Sequence, residues 1–200
     1  MRIRLAIALF VLLAGLPAAS EEIRIELDPD TTAISFELKA TMHTVHGTAK
    51  LASGMFTFHT STGVVTGQAV VDAATADTDN DKRDKKMHNE VLLSEEHPRI
   101  VLRADRFEGR LAEAGTSEIT FVGSLEVLGR SHPIRIPMSV TVDGDAATVS
   151  ATFAVPYVEW GLDDPSTFVL RVAKEVPVTI RSDSVSLTRA PEDVVDDRAE

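Results

Sequence analysis

"PIRIPMSVTVDGDAATVSATFAV", residues 133–155, decides the fold class. Ile134, Ile136, Met138, Val140 and Val142 alternate with Arg135, Pro137, Ser139 and Thr141. After Asp143-Gly144-Asp145, the alternation resumes with Val149, Ala151, Phe153 and Val155 against Thr148, Ser150, Thr152 and Ala154. A period of two puts each apolar set on one face of an extended chain, whereas a helix would need a period of 3.6. Asp-Gly accepts the positive φ of a tight hairpin turn. The stretch therefore predicts two antiparallel strands with one apolar face between them.

The same pattern extends both ways. Ile34, Phe36 and Leu38 alternate with Ser35, Glu37 and Lys39, and Val176, Val178 and Ile180 repeat it near the end. Phe56 and Phe58, Ile100 and Leu102, and Phe121 and Leu125 are assigned to the same apolar faces. Turns are expected at Ser61-Thr62-Gly63, Glu108-Gly109 and Gly129-Arg130. Only residues 84–96 suggest a helix, with Met87, Val91 and Ser94 on one side and Pro98 preventing continuation. About eight short antiparallel strands predict an all-β domain, closed as a barrel or split as a sandwich.

Charge and composition narrow the function. The chain opens Met1-Arg2-Ile3-Arg4, is apolar from Leu5 to Leu16, and continues Pro17-Ala18-Ala19-Ser20. That is the layout of a secretory signal peptide over residues 1–20, cleaved near Ser20, and it implies a periplasmic or secreted protein. The apolar run is too short for a membrane anchor. Without Arg2 and Arg4, 18 Lys and Arg face 31 Asp and Glu, a formal charge of −13. Such a surface repels phosphate backbones, which argues against nucleic acid as a partner. A membrane barrel would need aromatic girdles, and one Trp and one Tyr cannot supply them. The apolar faces should thus point inward, over a domain spanning residues 21–188. Residues 189–200 lack periodicity and are expected to form an acidic, disordered tail. The absence of cysteine excludes disulfides and thiolate chemistry.

Against this background "DKRDKKMHNEVLL", residues 81–93, concentrates charge beside an apolar triplet. Three readings compete for it: a solvated loop, a nucleic-acid patch, or the polar rim of an apolar binding site.

The order of several motifs resembles the YceI-like family of exported, lipocalin-like barrels. The resemblance rests on Ser35-Phe36 within "AISFEL", the Val45-His46-Gly47 step, and Arg83-Asp84-Lys85-Lys86-Met87 followed by Pro98-Arg99-Ile100-Val101-Leu102. It continues through Gly123-Ser124-Leu125-Glu126-Val127-Leu128-Gly129, Pro133 and Trp160-Gly161-Leu162. The chain departs from the pattern at Ala40, where a His is usual, at Val91-Leu92, which replace a Phe pair, and in the longer stretch Val155–Val172. The resemblance implies an eight-stranded antiparallel barrel with one short helix at its mouth, holding a polyisoprenoid or other long-chain amphiphile.

On that reading the interior is lined by Ile34, Phe36, Leu38, Phe56 and Phe58 from the first half. Ile100, Leu102, Phe121, Leu125, Ile134, Ile136, Met138, Val140, Phe153 and Trp160 complete it. His43, His46, Arg83, His88 and Tyr157 are placed at the mouth, near a ligand head group. The alternative is a metal or redox-associated protein in which His43, His46 and His88 converge. Ser131-His132 and Asp163-Asp164 are the nearest catalytic candidates, but both sit at predicted turns, so no enzyme is expected. No cofactor motif is present, and the pattern is compatible with a homodimer.

Overall fold

The computed structural model describes residues 22–168 and 170–189. The expected signal peptide over 1–20 and residues 190–200 of the expected tail lie outside that range. Nine strands follow in order: β1 (Glu22–Leu27), β2 (Thr32–Lys39), β3 (Thr44–His59), β4 (Val65–Asp77), β5 (Arg99–Glu108), β6 (Gly115–Val127), β7 (Arg130–Asp143), β8 (Ala146–Val155) and β9 (Val176–Arg189). Residues 133–155 supply most of β7 and all of β8, with Asp143 opposite Ala146 across a two-residue turn. Gly144 at that turn has φ 60°.

Nine strands occupy eight positions. β1 and β2 both pair with β3 and with β9, so they are two halves of one strand, broken at the turn after Leu27. All other neighbours are consecutive in the chain, every pairing is antiparallel, and the β1/β2–β9 contacts close the sheet. The result is an up-and-down eight-stranded barrel without free edges. Opposite the break, the β8–β9 register shifts between Ala147 and Val149. There Thr32 and Ser182, both buried, share a hydroxyl–hydroxyl hydrogen bond of 2.9 Å that satisfies the kinked wall. Arg189, expected to open the tail, is instead the last residue of β9, opposite Ile23 and bonded to Asp145 at 3.1 Å.

Because the barrel is a meander, alternate connections lie at the same end. The β3–β4, β5–β6 and β7–β8 turns share one end, and all are short. The β2–β3 turn, the helical β4–β5 connection, the β6–β7 turn and the long β8–β9 connection share the other. The β6–β7 turn has φ 51° at Leu128 and 69° at Gly129, the doubly left-handed geometry of a type I′ hairpin.

The helix starts and stops earlier than expected. Helix α1 (Asp81–Lys86) is capped by Asn80, whose side chain accepts the Arg83 N–H at 3.0 Å. It runs into a π turn over Met87–Val91 and ends where Leu93 takes φ 46°. Outward-facing positions such as Ser35, Glu37, Lys39 and Arg135 are polar, and no described helix is long and apolar enough to cross a membrane.

Candidate functional site: an apolar cavity with a cationic mouth

The strand faces that alternate inward enclose a cavity of about 610 Å³ to which every strand contributes. This lies within the ~300–1,000 Å³ usual for small-molecule sites. The space exists because part of the wall is built from small side chains. Ala49, Ala69, Ala73, Ala76 and Ala151 all face it, interspersed with larger side chains such as Phe36, Leu102, Leu125, Ile136 and Phe153. Gly47 lets the Phe36 ring lie against β3, since a Cβ there would sit 2.3 Å from it. At the short-turn end the barrel is filled instead. Ile119, Val140, Val142, Ala147, Val185 and Leu187 pack there as a separate core. Met138, Phe107, Val149 and Val185 touch both the core and the cavity, and form its floor.

Charge is confined to the mouth. Of the side chains lining the cavity none is Asp or Glu, in a chain that carries 31 of them; the charged ones are Arg83 and Lys86, with His43 beside them. Arg83 donates from Nε to the Thr78 hydroxyl at 2.7 Å and from Nη2 to the Thr78 carbonyl at 2.6 Å. Asp84 accepts from the Thr78 hydroxyl, from its backbone N–H at 3.1 Å and from Asn80 N–H at 3.3 Å. Burial raises the Asp84 pKa, but these bonds and the Arg83 charge outweigh it and hold the carboxyl below its usual value. Arg83 and Asp84 thus converge on Thr78 rather than forming a pair of their own. Both bonds to Thr78 use Nε and Nη2, and Nη1 has no hydrogen-bond partner among the described residues. Met87, Val91 and Leu92 cover the cavity from the same segment.

The remaining rim comes from the long β8–β9 connection, through Leu162, Pro165, Thr167 and Leu170. Tyr157 is 4% exposed and donates its hydroxyl to the Ala173 carbonyl at 2.9 Å. Burial, with the charges of Asp164 and Asp163, pushes its phenol up to about 12. Asp164 itself is held down to about 2 by the side chains of Lys174 and Ser166.

Most of the expected interior residues line the cavity: Ile34, Phe36, Leu38, Phe56, Ile100, Leu102, Phe121, Leu125, Ile136, Met138 and Phe153. Four do not. Phe58 packs on Phe107 at 5.5 Å between ring centroids, and Val140 belongs to the filled end. Ile134 is buried in the wall. Trp160 stacks flat on His132 at 4.4 Å and 6°, and His132 Nε2 is buried without a hydrogen-bond partner among the described residues. His43, Arg83 and Tyr157 are at the mouth, whereas His46 and His88 are not among the lining residues.

The three histidines do not converge. His46 lies on the outer face of β3, 3.4 Å from Glu37, because Val45 and Gly47 take the inward positions. His88 Nε2 is 2.9 Å from the Ala76 carbonyl and its Nδ1 is 2.9 Å from Ser94 Oγ, so both ring nitrogens serve the connection. Among the described residues no group of three His, Asp or Glu side chains is arranged to hold a metal ion. Neither catalytic candidate forms a nucleophile–base pair: His132 lies under Trp160, and Asp164 is bound by Lys174.

Inward residues missing from the sequence reading include Ala49, Ala69, Ala73 and Ala76, with Ile25, Leu27, Val45, Leu51 and Val71. Period-two spacing carries their signal, as in Val45-x-Gly47-x-Ala49-x-Leu51, but small side chains obscure it.

Comparison with known proteins agrees with this geometry. No curated protein matches the chain. Among solved structures, BcnA of Burkholderia cenocepacia superposes with a TM-score of 0.66 at 14% identity, covering 80% of this chain and 99% of that one. A polyisoprenoid-binding domain of Saccharophagus degradans, implicated in plant cell wall breakdown, gives 0.61 at 15% identity, over 84% of this chain and 98% of its own. The YceI protein of Campylobacter jejuni gives 0.58 at 12%, with coverages of 76% and 88%. At such identities the likeness speaks for the fold alone. Residues 26–183 match the YceI-like domain, and the chain accordingly belongs to the YceI-like family.

Proposed function

We propose that this protein binds the apolar chain of a polyisoprenoid or similar long amphiphile inside its barrel, with the polar head at the Arg83–Lys86 rim, as an exported carrier or store rather than an enzyme. The observation that carries the reading is the polarity of the lining: an apolar cavity of about 610 Å³ whose charged groups are cationic and confined to one end. Each buried methylene contributes roughly 0.8 kcal/mol, so a long chain binds tightly without polar contacts along its length. A head carrying phosphate or carboxylate then gains charge-assisted hydrogen bonds from Arg83. The polyisoprenoid-binding domain of Saccharophagus degradans shares the fold and supports an isoprenoid as the first ligand to try. Export rests on the first twenty residues of the sequence.

The test is organic extraction of protein purified from its native host, followed by mass spectrometry, on the wild type and on Met138→Trp. Met138 is at the cavity floor, and an indole there occupies the space a chain needs. The wild type should yield a long-chain amphiphile and the variant none. Equal yields from two folded proteins would place the ligand outside the barrel.

A further inference from the structure

Wall and floor together fix how much the cavity can hold. The strand ladder closes on itself through eight positions, so the wall cannot spread without breaking strand pairing. The floor rests on a filled core, in which Ile119 and Val142 are each 4% exposed and Val185 1%. A chain too long for the space therefore leaves its excess at the mouth, in water.

That capacity can be counted in atoms. Benzene fills a dry engineered cavity of about 150 Å³, or roughly 25 Å³ per heavy atom. At that density the cavity of about 610 Å³ holds roughly 24 apolar heavy atoms. A single fatty tail, or a chain of roughly four to five isoprene units, meets this number. The paired acyl chains of a membrane phospholipid exceed it, and so does a polyprenyl chain of twice that length.

Of the floor residues, Met138 is the one placed to set the depth. Along the inward side of β7 it stands between Ile136, which lines the cavity, and Val140, which belongs to the filled core. Its register partners are Ile119 on β6 and Ala151 on β8, so the β8 side leaves its long side chain room. Phe107 is held between the rings of Phe58 and Phe121, at 5.5 and 6.2 Å between centroids. Val149 adjoins the register shift between β8 and β9. Met138 is unbranched and adaptable, so its length can differ without moving the backbone.

We propose that the barrel encloses one chain of about 24 heavy atoms and that Met138 is the ruler that ends it. The inference rests on the amphiphile reading above and narrows it to single-tailed ligands of that size.

Pairwise competition reads the ruler. Delipidated protein is offered pairs of linear alkyl phosphates that differ by two methylenes, both in excess. It is then re-isolated, extracted and analysed by mass spectrometry. Below the ruler length the longer member should be retained roughly fifteenfold over the shorter. From about 24 chain atoms onward the two should be retained equally. Met138→Ala removes about three heavy atoms from the floor and should move this crossover to chains about three carbons longer. Met138→Phe adds about three and should shorten it by as much, so either variant alone tests the ruler. Met138→Leu, which nearly conserves volume, should leave the crossover in place. Circular dichroism checks that each variant is folded. Retention of no alkyl phosphate at any length would sink the amphiphile reading and the ruler with it. Retention without a crossover up to chains of twice the limit would overturn the ruler and leave the amphiphile reading standing. A crossover that folded Met138→Ala or Met138→Phe leaves unmoved would do the same.

Discussion

The two ends of this barrel are written with the same alternation and do opposite things. At the short-turn end, Ile119, Val140, Val142 and Leu187 meet across the axis and fill it. Toward the other end, alanines at 49, 69, 73, 76 and 151 occupy corresponding inward positions, and the wall stands back from the axis. An eight-stranded barrel is near the size at which side chains just fill the interior, so the choice between branched residues and alanine decides whether it is solid or hollow. Polarity of the strands makes the barrel; inward side-chain volume makes the site.

Exchanging the characters of the two regions is the sharpest way to break this account. The largest effect is expected from Ala73→Phe, which fills the hollow region: chain binding should vanish while the barrel still folds, as judged by circular dichroism and a fluorescent alkyl probe. Retained binding would mean that the cavity is not the site. Next comes Ile119→Ala in the filled end. It should cost about 2–5 kcal/mol in urea unfolding, because that core cannot close over the gap, with probe affinity changed little. A stability loss below 1 kcal/mol would show that this end is looser than its packing implies.

A smaller effect belongs to the rim. Arg83→Ala should weaken an alkyl phosphate about tenfold and leave the corresponding alkane-like probe unaffected, the loss expected for one charged hydrogen bond. Equal weakening of both would make Arg83 a structural clamp on Thr78 and nothing more. The smallest is a titration. Tyr157 is the single tyrosine of the chain, so tyrosinate absorbance reports it alone. Its pKa is raised in the fold, so the stability it contributes is present below about 10 and lost as pH rises toward about 12. The folded protein should show no tyrosinate at pH 10, and titration there by a native barrel would mean that the β8–β9 connection does not bury this ring.

Much of this was legible in the sequence, for a physical reason. Alternation over 133–155 fixes the face of each residue, and inward large residues such as Phe36, Leu102 and Ile136 follow directly. The split of the first strand was not legible, because a turn such as Asp28–Thr31 ordinarily separates two strands of a sheet rather than two halves of one. His46 shows the opposite lesson. Its neighbours Val45 and Gly47 already assign it to the outer face, and the spacing to His43 suggested a convergence that a strand's period forbids. For His88 no such rule exists. Only the fold reveals that its ring is used by Ala76 and Ser94. Volume is the least visible property, since an alanine reads the same whether it faces a packed core or a cavity.

Calorimetric titration with alkyl phosphates of increasing chain length distinguishes a chain enclosed in the barrel from one bound outside it. If the cavity encloses the chain, affinity should rise by roughly 0.8 kcal/mol per added methylene and then level off once the enclosed length is full. The heat capacity of binding should grow more negative over the same range. Met138→Trp should bring the plateau to a shorter chain. Affinity independent of chain length, or a plateau that Met138→Trp leaves in place, would contradict binding inside the barrel.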